Sequence, residues 1–401
     1  MMNILICTYP SPFLRTQGQS LRVYNISKHL AKNHKIFLLV LTDLNTKNDH
    51  LVFDKEHIFS KIWQKKIKRK GFMKIFNLIA TKSSARLEFP IVKTKLHKLV
   101  LRIIKEQKID ILYINGFPIN LLLADFKGVP KVLDLCDSPT LAYKREFENS
   151  AGFLNKQIAF LKYLRAKAIE KYLLQNYDVI TFISSIDATF SARLARGYFE
   201  IIPNGVDTDY FAPIPSIKEQ FPSLIFFGVM DFKPNVDAVL YFYNQIFPKV
   251  RKIFPDVHFY VVGKNPKRKI INLNKDRGIT VTGTVKDIRP FIIKSSIVVI
   301  PMRIGSGMKN KILEAMALEK PIVCTSLAAE ALNDKCKSKV FIADTPEEFA
   351  KKIIMLLKNE KIRQLYGFQG RKIVKEMYSW ERSSKKYDEL YKILLFKKYN
   401  R

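Results

Sequence analysis

The sequence is short of acid. It carries 36 Asp and Glu against 69 Lys and Arg, a formal net charge of +33, so its partners are expected to be acidic: a nucleotide phosphate, an anionic membrane surface or nucleic acid. The cations run through the whole chain instead of collecting in one tail, so charge alone does not choose among these partners. Cysteine is scarce, at 4 residues, with no CxxC pair and no His at ligand spacing. That argues against a disulfide framework and a structural metal. Cys7, Cys136 and Cys324 fall in apolar strand-like runs and Cys336 in a Lys-rich loop, and all read as reduced thiols of a cytoplasmic protein. No uninterrupted apolar run reaches the ~18 residues that span a bilayer. The start, MMNILICTYP, has neither a basic n-region nor a cleavage site and reads as a first β-strand, so export is not expected. Low-complexity tracts and repeats beyond two similar halves are also missing.

What is present is the composition of a soluble globular protein, 47% hydrophobic and 26% charged over 401 residues. That length exceeds what one core usually supports and implies two domains. The first half alternates strand-like and helix-like segments: NILICTYP, LRVYNISKHLAKN, KIFLLVLTD, then IDILYIN, VPKVLDLCD and DVITFIS. Residues 199–222 are rich in Pro and turn residues and lack a long period, which marks a boundary. The alternation restarts with SLIFFGV, a helix from about Asn235, VHFYVVG, ITVTGTV, SIVVIP, PIVCTS and KVFIAD. Thr345, Pro346 and Glu348 in TPEEF form a capping box that opens a late helix. Alternation of this kind predicts an α/β protein of two Rossmann-like doubly wound domains facing a cleft. The expected bounds are 1–205, a linker over 206–222, and 223–377.

Between SIVVIP and PIVCTS lies RIGSGMKNKILEAMALEK, read as the crossover helix of a βαβ unit. Gly305 and Gly307 fall at the strand-to-helix turn, where glycine permits positive φ and a close approach to the backbone. The first-turn amides, the helix dipole and the cations Arg303, Lys309 and Lys311 together suit a phosphate. Glu314, three residues after Lys311 on the same face, has two acceptor oxygens for vicinal ribose hydroxyls. An ordinary solvated Lys311–Glu314 pair fits the same spacing. KIWQKKIKRKGFMKIFNLIATK, residues 61–82, mixes Trp63, Phe72, Met73, Ile75, Phe76 and Ile79 with cations. It suits a basic amphipathic surface against anionic lipid, or an excursion packed on the first domain.

These residues carry a resemblance. IPNGVDTDYF, FFGVMDFKPNVDAVLYF, VHFYVVGKNP, VTGTVKDIRPFI, the glycine stretch at 303 and YSWERSSKKYDELY jointly resemble the retaining glycosyltransferases of family 4, of GT-B architecture. The resemblance is nearest to bacterial sugar transferases acting on exopolysaccharide or cell-envelope glycans. It implies a nucleotide-sugar donor, with a UDP-linked hexose expected, and a lipid-linked or polysaccharide acceptor at the inner face of the cytoplasmic membrane. It also implies that the 378–401 helix packs back on the first domain. Lys309 or Lys311, with the Gly305 and Gly307 amides, would meet the diphosphate, and Glu314 would hold the donor ribose. Arg303 and Lys233 are candidates for the remaining phosphate charge. Gly18, in SPFLRTQGQS, matches the glycine that lets the backbone reach the diphosphate across the cleft. Asp137 would orient the acceptor hydroxyl or take its proton, or else cap a turn with Asp134. Many family members place a glutamate for the donor sugar eight positions before Glu314, where this chain has Ser306. The DTD at 207–209 sits where the family has an Asp after PNGV, and neither a metal nor another cofactor is expected. Three rivals stay open on the residues: a non-catalytic sugar- or nucleotide-binding scaffold, a nucleotide-sugar epimerase, and a nucleic-acid binder, for which no recognition module is visible.

Overall fold

The computed structural model describes residues 1–13, 18–43, 54, 56–67, 90–150, 152–305 and 307–399. The chain divides into two units, one formed by Met1–Pro203 with Trp380–Arg401, the other by Asn204–Ser379.

The first unit is built on a seven-stranded sheet of β1 (Asn3–Thr8), β2 (Lys35–Asp43), β3 (Lys61–Ile67), β4 (Ile111–Asn115), β5 (Lys131–Cys136), β6 (Val179–Phe182) and β7 (Phe199–Ile201). The order is β3-β2-β1-β4-β5-β6-β7, and every pairing is parallel. Strands β1, β4 and β5 are buried almost throughout, on both faces, because helices cover both sides, as in a parallel sheet. One side is closed by the Gly18–Leu30 helix and the Trp380–Tyr399 helix. Val23, Ile26, Trp380, Tyr387, Leu390 and Tyr391 join Ile4, Ile6 and Tyr113 in one cluster there. The return of the last helix to the first unit is thus as the resemblance implies.

A charged network lies inside that layer. The fully buried Arg22 pairs through Nε with Asp134 at 2.6 Å and through Nη2 with the Tyr387 hydroxyl at 2.9 Å. Asp134 also accepts from the Tyr113 and Thr181 hydroxyls, and Thr181 meets Tyr387 at 2.7 Å. Burial penalises the Arg22 cation most, but Asp134 together with Tyr387, Cys136 and Tyr113 outweighs it and holds the guanidinium charged. Asp134 therefore anchors the core and caps no turn.

The second unit carries a six-stranded parallel sheet of β8 (Ser223–Phe227), β9 (His258–Val262), β10 (Ile279–Gly283), β11 (Ile297–Ile300), β12 (Ile322–Cys324) and β13 (Phe341–Ile342). Its order, β10-β9-β8-β11-β12-β13, reverses direction between β8 and β11. The stretch after Pro203 belongs to this unit: Phe211, Ile214 and Ile217 pack on its core, and Arg371 donates to the Phe211 carbonyl at 2.9 Å. Thr345 caps the Pro346–Lys358 helix by accepting from the Glu348 amide, as TPEEF predicts.

Four details differ from the sequence reading or lie beyond it. The helix expected from Asn235 begins at Lys233, with Pro234 in its first turn. Cys336 is buried in a short helix, Asp334–Lys337, instead of lying in a loop. Residues 61–67 of the basic amphipathic segment form the edge strand β3, with Trp63 against Phe37 and Ile67 buried. Residues 68–82 lie outside the described residues. All four cysteines are buried and unpaired with one another, and burial pushes the Cys324 and Cys336 thiols up to about 12.

Candidate functional site

In an open parallel sheet the crevice beyond the strands' carboxyl ends, at the point where strand order reverses, is left open by the diverging loops. In the second unit that point lies between β8 and β11. The segments that follow these two strands carry Gly228 and Asn235 on one side and Gly305 to Glu314 on the other.

After β11 the chain runs through Gly305, at φ 120°, and Gly307, at φ 71°, into the Asn310–Ala317 helix. Both glycines are left-handed, a conformation costly for other residues. Ser306 between them lies outside the described residues. The helix buries Ile312, Leu313, Ala315 and Met316 in the core, which fixes its position and turns Lys311 and Glu314 to one half-buried face. Its N-cap is Lys309, whose side chain makes no capping hydrogen bond and folds back on the Gly307 carbonyl at 2.8 Å. The Ile312 amide turns back to the Lys309 carbonyl at 2.9 Å, and no side chain caps the earlier first-turn amides, which suit an anion.

Lys311 is not a solvated surface lysine. Its ammonium donates to Asn235 Oδ1 at 2.9 Å, sits 4.0 Å from the Phe226 ring centre, and would be 3.2 Å from a Cβ placed on Gly228. Burial lowers Lys311 to about 7 and raises Glu314 to about 7, each opposed in part by the other's charge. Among the described residues the Glu314 carboxylate accepts no hydrogen bond and forms no ion pair within 4.0 Å. The helix thus presents one cation and one acceptor, both short of solvation, at the carboxyl end of the sheet. Desolvated charges of this kind gain more from a complementary ligand than from water.

Gly228 makes the room. It follows β8 at φ 148°, and Gly263, which follows β9 at φ 151°, is so close that a Cβ on it would lie 1.7 Å from the Gly228 carbonyl oxygen. Gly228, Asn235 and Phe226 were not singled out in the sequence, although they lie in or next to the FFGVMDFKPN stretch. A glycine ending an apolar strand is the signal that was there; the Lys311–Asn235 bond joins residues 76 apart and has no local signature.

The other candidates have surroundings of their own. Arg303 is held in a two-point pair with Asp237, at 2.8 and 3.2 Å, and stacks 4.2 Å from the Tyr241 ring centre. Lys233 is exposed at the start of the Lys233–Tyr241 helix. Asp207 of the DTD accepts from the Asp209 and Tyr210 amides, so it closes a turn. Gly18 and Asp137 belong to the first unit. Gly18 is the exposed first residue of the Gly18–Leu30 helix, and a Cβ there would meet nothing within 4 Å. Asp137 follows β5 directly ahead of the Pro139–Glu148 helix, whose cap is Ser138 and not Asp137. The Asp137 turn is held by two buried carboxylates: Asp187 accepts from the Ser138 amide, and Glu170 from the Ser138 and Thr140 hydroxyls and the Thr140 amide, at 2.5 to 2.9 Å.

Comparison with known proteins agrees with this picture. Residues 221–359 match the family model described as glycosyl transferases group 1. The uncharacterized glycosyltransferase MJ1069 of Methanocaldococcus jannaschii is 26% identical over 265 residues, 62% of this chain and 67% of that protein. Among solved structures, sucrose-phosphate synthase from Thermosynechococcus elongatus superposes with a TM-score of 0.75 at 15% identity, over 98% of this chain and 99% of that one. Anabaena Alr3699/HepE, in complex with UDP-glucose, superposes with a TM-score of 0.66 at 14% identity, over 97% and 99%. These likenesses show two parallel-sheet Rossmann-like units of the GT-B type, and residues 221–359 are similar to the group 1 glycosyl transferases.

Proposed function

We propose that the protein transfers a hexose-type sugar from a UDP-linked donor to a lipid-linked or polysaccharide acceptor, with retention at the anomeric carbon. The observation that carries this reading is the under-solvated Lys311–Glu314 pair behind the two left-handed glycines at the strand-order reversal of the second sheet. A nucleoside diphosphate has what that site lacks: anionic oxygens for Lys311, Lys309 and the uncapped amides, and a ribose diol for Glu314. The complex of Anabaena Alr3699/HepE with UDP-glucose makes UDP the first nucleotide to test.

In the reaction, the bond from the anomeric carbon to the diphosphate breaks and its electron pair leaves with the nucleotide. The acceptor oxygen attacks from the same face and passes its proton to the departing phosphate. Negative charge grows on the diphosphate as the bond lengthens, so donors aimed at it lower the barrier, and losing one costs about 3 kcal/mol. Lys311 and Lys309 supply that positive charge in this reading, which requires no divalent cation. Asp137, on its fixed turn, would orient the acceptor hydroxyl. Catalysis takes place on the cytoplasmic side of the membrane in this scheme.

The test is thermal stabilisation by UDP, GDP, ADP and CMP. A nucleotide at 100 times its dissociation constant adds about 2.7 kcal/mol. UDP is expected to stabilise most, and Lys311→Ala or Glu314→Ala to remove the effect while the fold survives. Equal UDP affinity in both variants would sink the site. A non-catalytic scaffold remains the competing reading because Ser306 replaces the family's glutamate. It would bind UDP-sugar yet release no UDP in the presence of acceptor.

A further inference from the structure

The Phe153–Leu174 helix of the first unit faces outward with the wrong residues for water. Its inward side is set by Ala159, Ala166, Glu170 and Leu173, all buried at helical spacing. On the opposite side stand Phe153, Leu154, Ile158, Phe160, Leu161 and Leu164, each exposed; Phe153, Leu154 and Leu161 are 80%, 73% and 60% accessible. At 100° per residue these six, with Gln157 and Ala168, fill the outward arc of the first three to four turns, and Arg165, between Leu154 and Ile158, is the one charge inside it. Cations flank the arc on both edges: Lys156 and Lys167 on one, and Lys162, paired with Glu146 at 3.0 Å, on the other, with Arg165 just inside that second edge. Scattered single apolar residues on a surface need no explanation, but a contiguous arc rimmed by cations marks a contact surface.

We infer that this arc docks on an anionic lipid bilayer, lying in the interface plane with its apolar side chains among the acyl chains and its flanking Lys and Arg at the headgroups. Charge selects this occupant over a second copy of the chain. The protein carries +33 overall, so apposing two such arcs brings like-charged rims together, whereas an anionic surface neutralises them. Geometry selects lying over crossing. Among the described residues no helix is long and apolar enough to span a membrane. Lys and Arg on both edges of an apolar arc are the pattern of a helix that rests in the interface. The surface is distinct from the basic stretch at 61–82, whose described part is a β-strand. It is also independent of the sugar-transfer reading, since it asks only for a bilayer.

The experiment is co-sedimentation of the full chain with vesicles of phosphatidylcholine alone and of phosphatidylcholine with phosphatidylglycerol, without nucleotide. Wild type is expected to bind the anionic vesicles at least tenfold more tightly than the neutral ones. Leu154→Glu with Leu161→Glu, both at exposed positions, is expected to lose at least tenfold of that affinity with an unchanged melting temperature. Lys156→Glu with Lys167→Glu should lose the preference for the anionic vesicles. Binding undiminished in the leucine variant would overturn the assignment and place lipid contact elsewhere. Absence of binding by wild type would overturn it outright. A concentration-dependent dimer that the leucine substitutions abolish would make the arc a protein interface instead.

Discussion

Lys311 and Glu314 share one helix face and are shifted in opposite directions by the same burial, which makes pH the sharpest probe of the site. Lys311, lowered to about 7, gains its proton as pH falls through that value, and only the protonated form attracts a diphosphate. Glu314, raised to about 7, is ionised only as pH rises through it, and only the carboxylate accepts from both ribose hydroxyls. Affinity for a nucleotide-sugar, whose doubly esterified diphosphate does not titrate in this range, is therefore expected to peak near neutrality. It should fall by up to roughly tenfold per pH unit on either side. Calorimetric titration should show Lys311→Met losing the alkaline limb and Glu314→Gln the acid limb. A flat profile in wild type would mean that neither group meets the ligand. Gly18 offers a cleaner separation of structure from function. A methyl group there enters open space, so Gly18→Ala should alter stability by no more than about 0.5 kcal/mol. A drop in sugar transfer by that variant would have to come from an approaching ligand.

Packing between elements explains what could and could not be read in advance. Eleven of the thirteen strands among the described residues are visible in the sequence as apolar runs, nine of them central strands, which read as near-continuous apolar runs because both faces are covered. The two that escaped, β3 and β7, are the outermost strands of the first sheet. An edge strand buries less, and β3 reads KIWQKKI, with lysines where a central strand has Val or Ile. The glycine loop and its helix were legible for the same local reasons, namely a strand, two glycines and an amphipathic run. Asn235 and Asp237 were not, since their partners Lys311 and Arg303 come from a helix and a loop dozens of residues away. Contact between the loops that follow β8 and β9 gives a stability test. Gly263→Ala would force a left-handed backbone on alanine and drive its methyl into the Gly228 carbonyl. It is expected to cost more than about 2 kcal/mol by urea unfolding, and to disturb the neighbouring Lys311–Asn235 bond enough to weaken UDP binding.

Within the molecule as a whole, the Arg22–Asp134–Tyr387 network decides which part of the chain the Trp380–Tyr399 helix serves. Tyr387→Phe removes a hydroxyl that accepts from Arg22 and meets Thr181, all at buried positions. It is expected to destabilise by about 1–3 kcal/mol, with the loss confined to the unfolding transition of the first unit. UDP should stabilise the other transition unchanged. A single transition shifted as one, or a shift only in the UDP-sensitive step, would contradict the division at Pro203 and Ser379. That division also has a consequence in time. The first unit is written in two instalments, with the whole of the second unit translated between them. A ribosome releasing the chain therefore presents a first sheet whose Arg22 and Asp134 are paired but still lack Tyr387, while residues 204–379 can complete their own core. The half made first is finished last, and until residues 380–399 arrive it is the part of the nascent chain most in need of a chaperone.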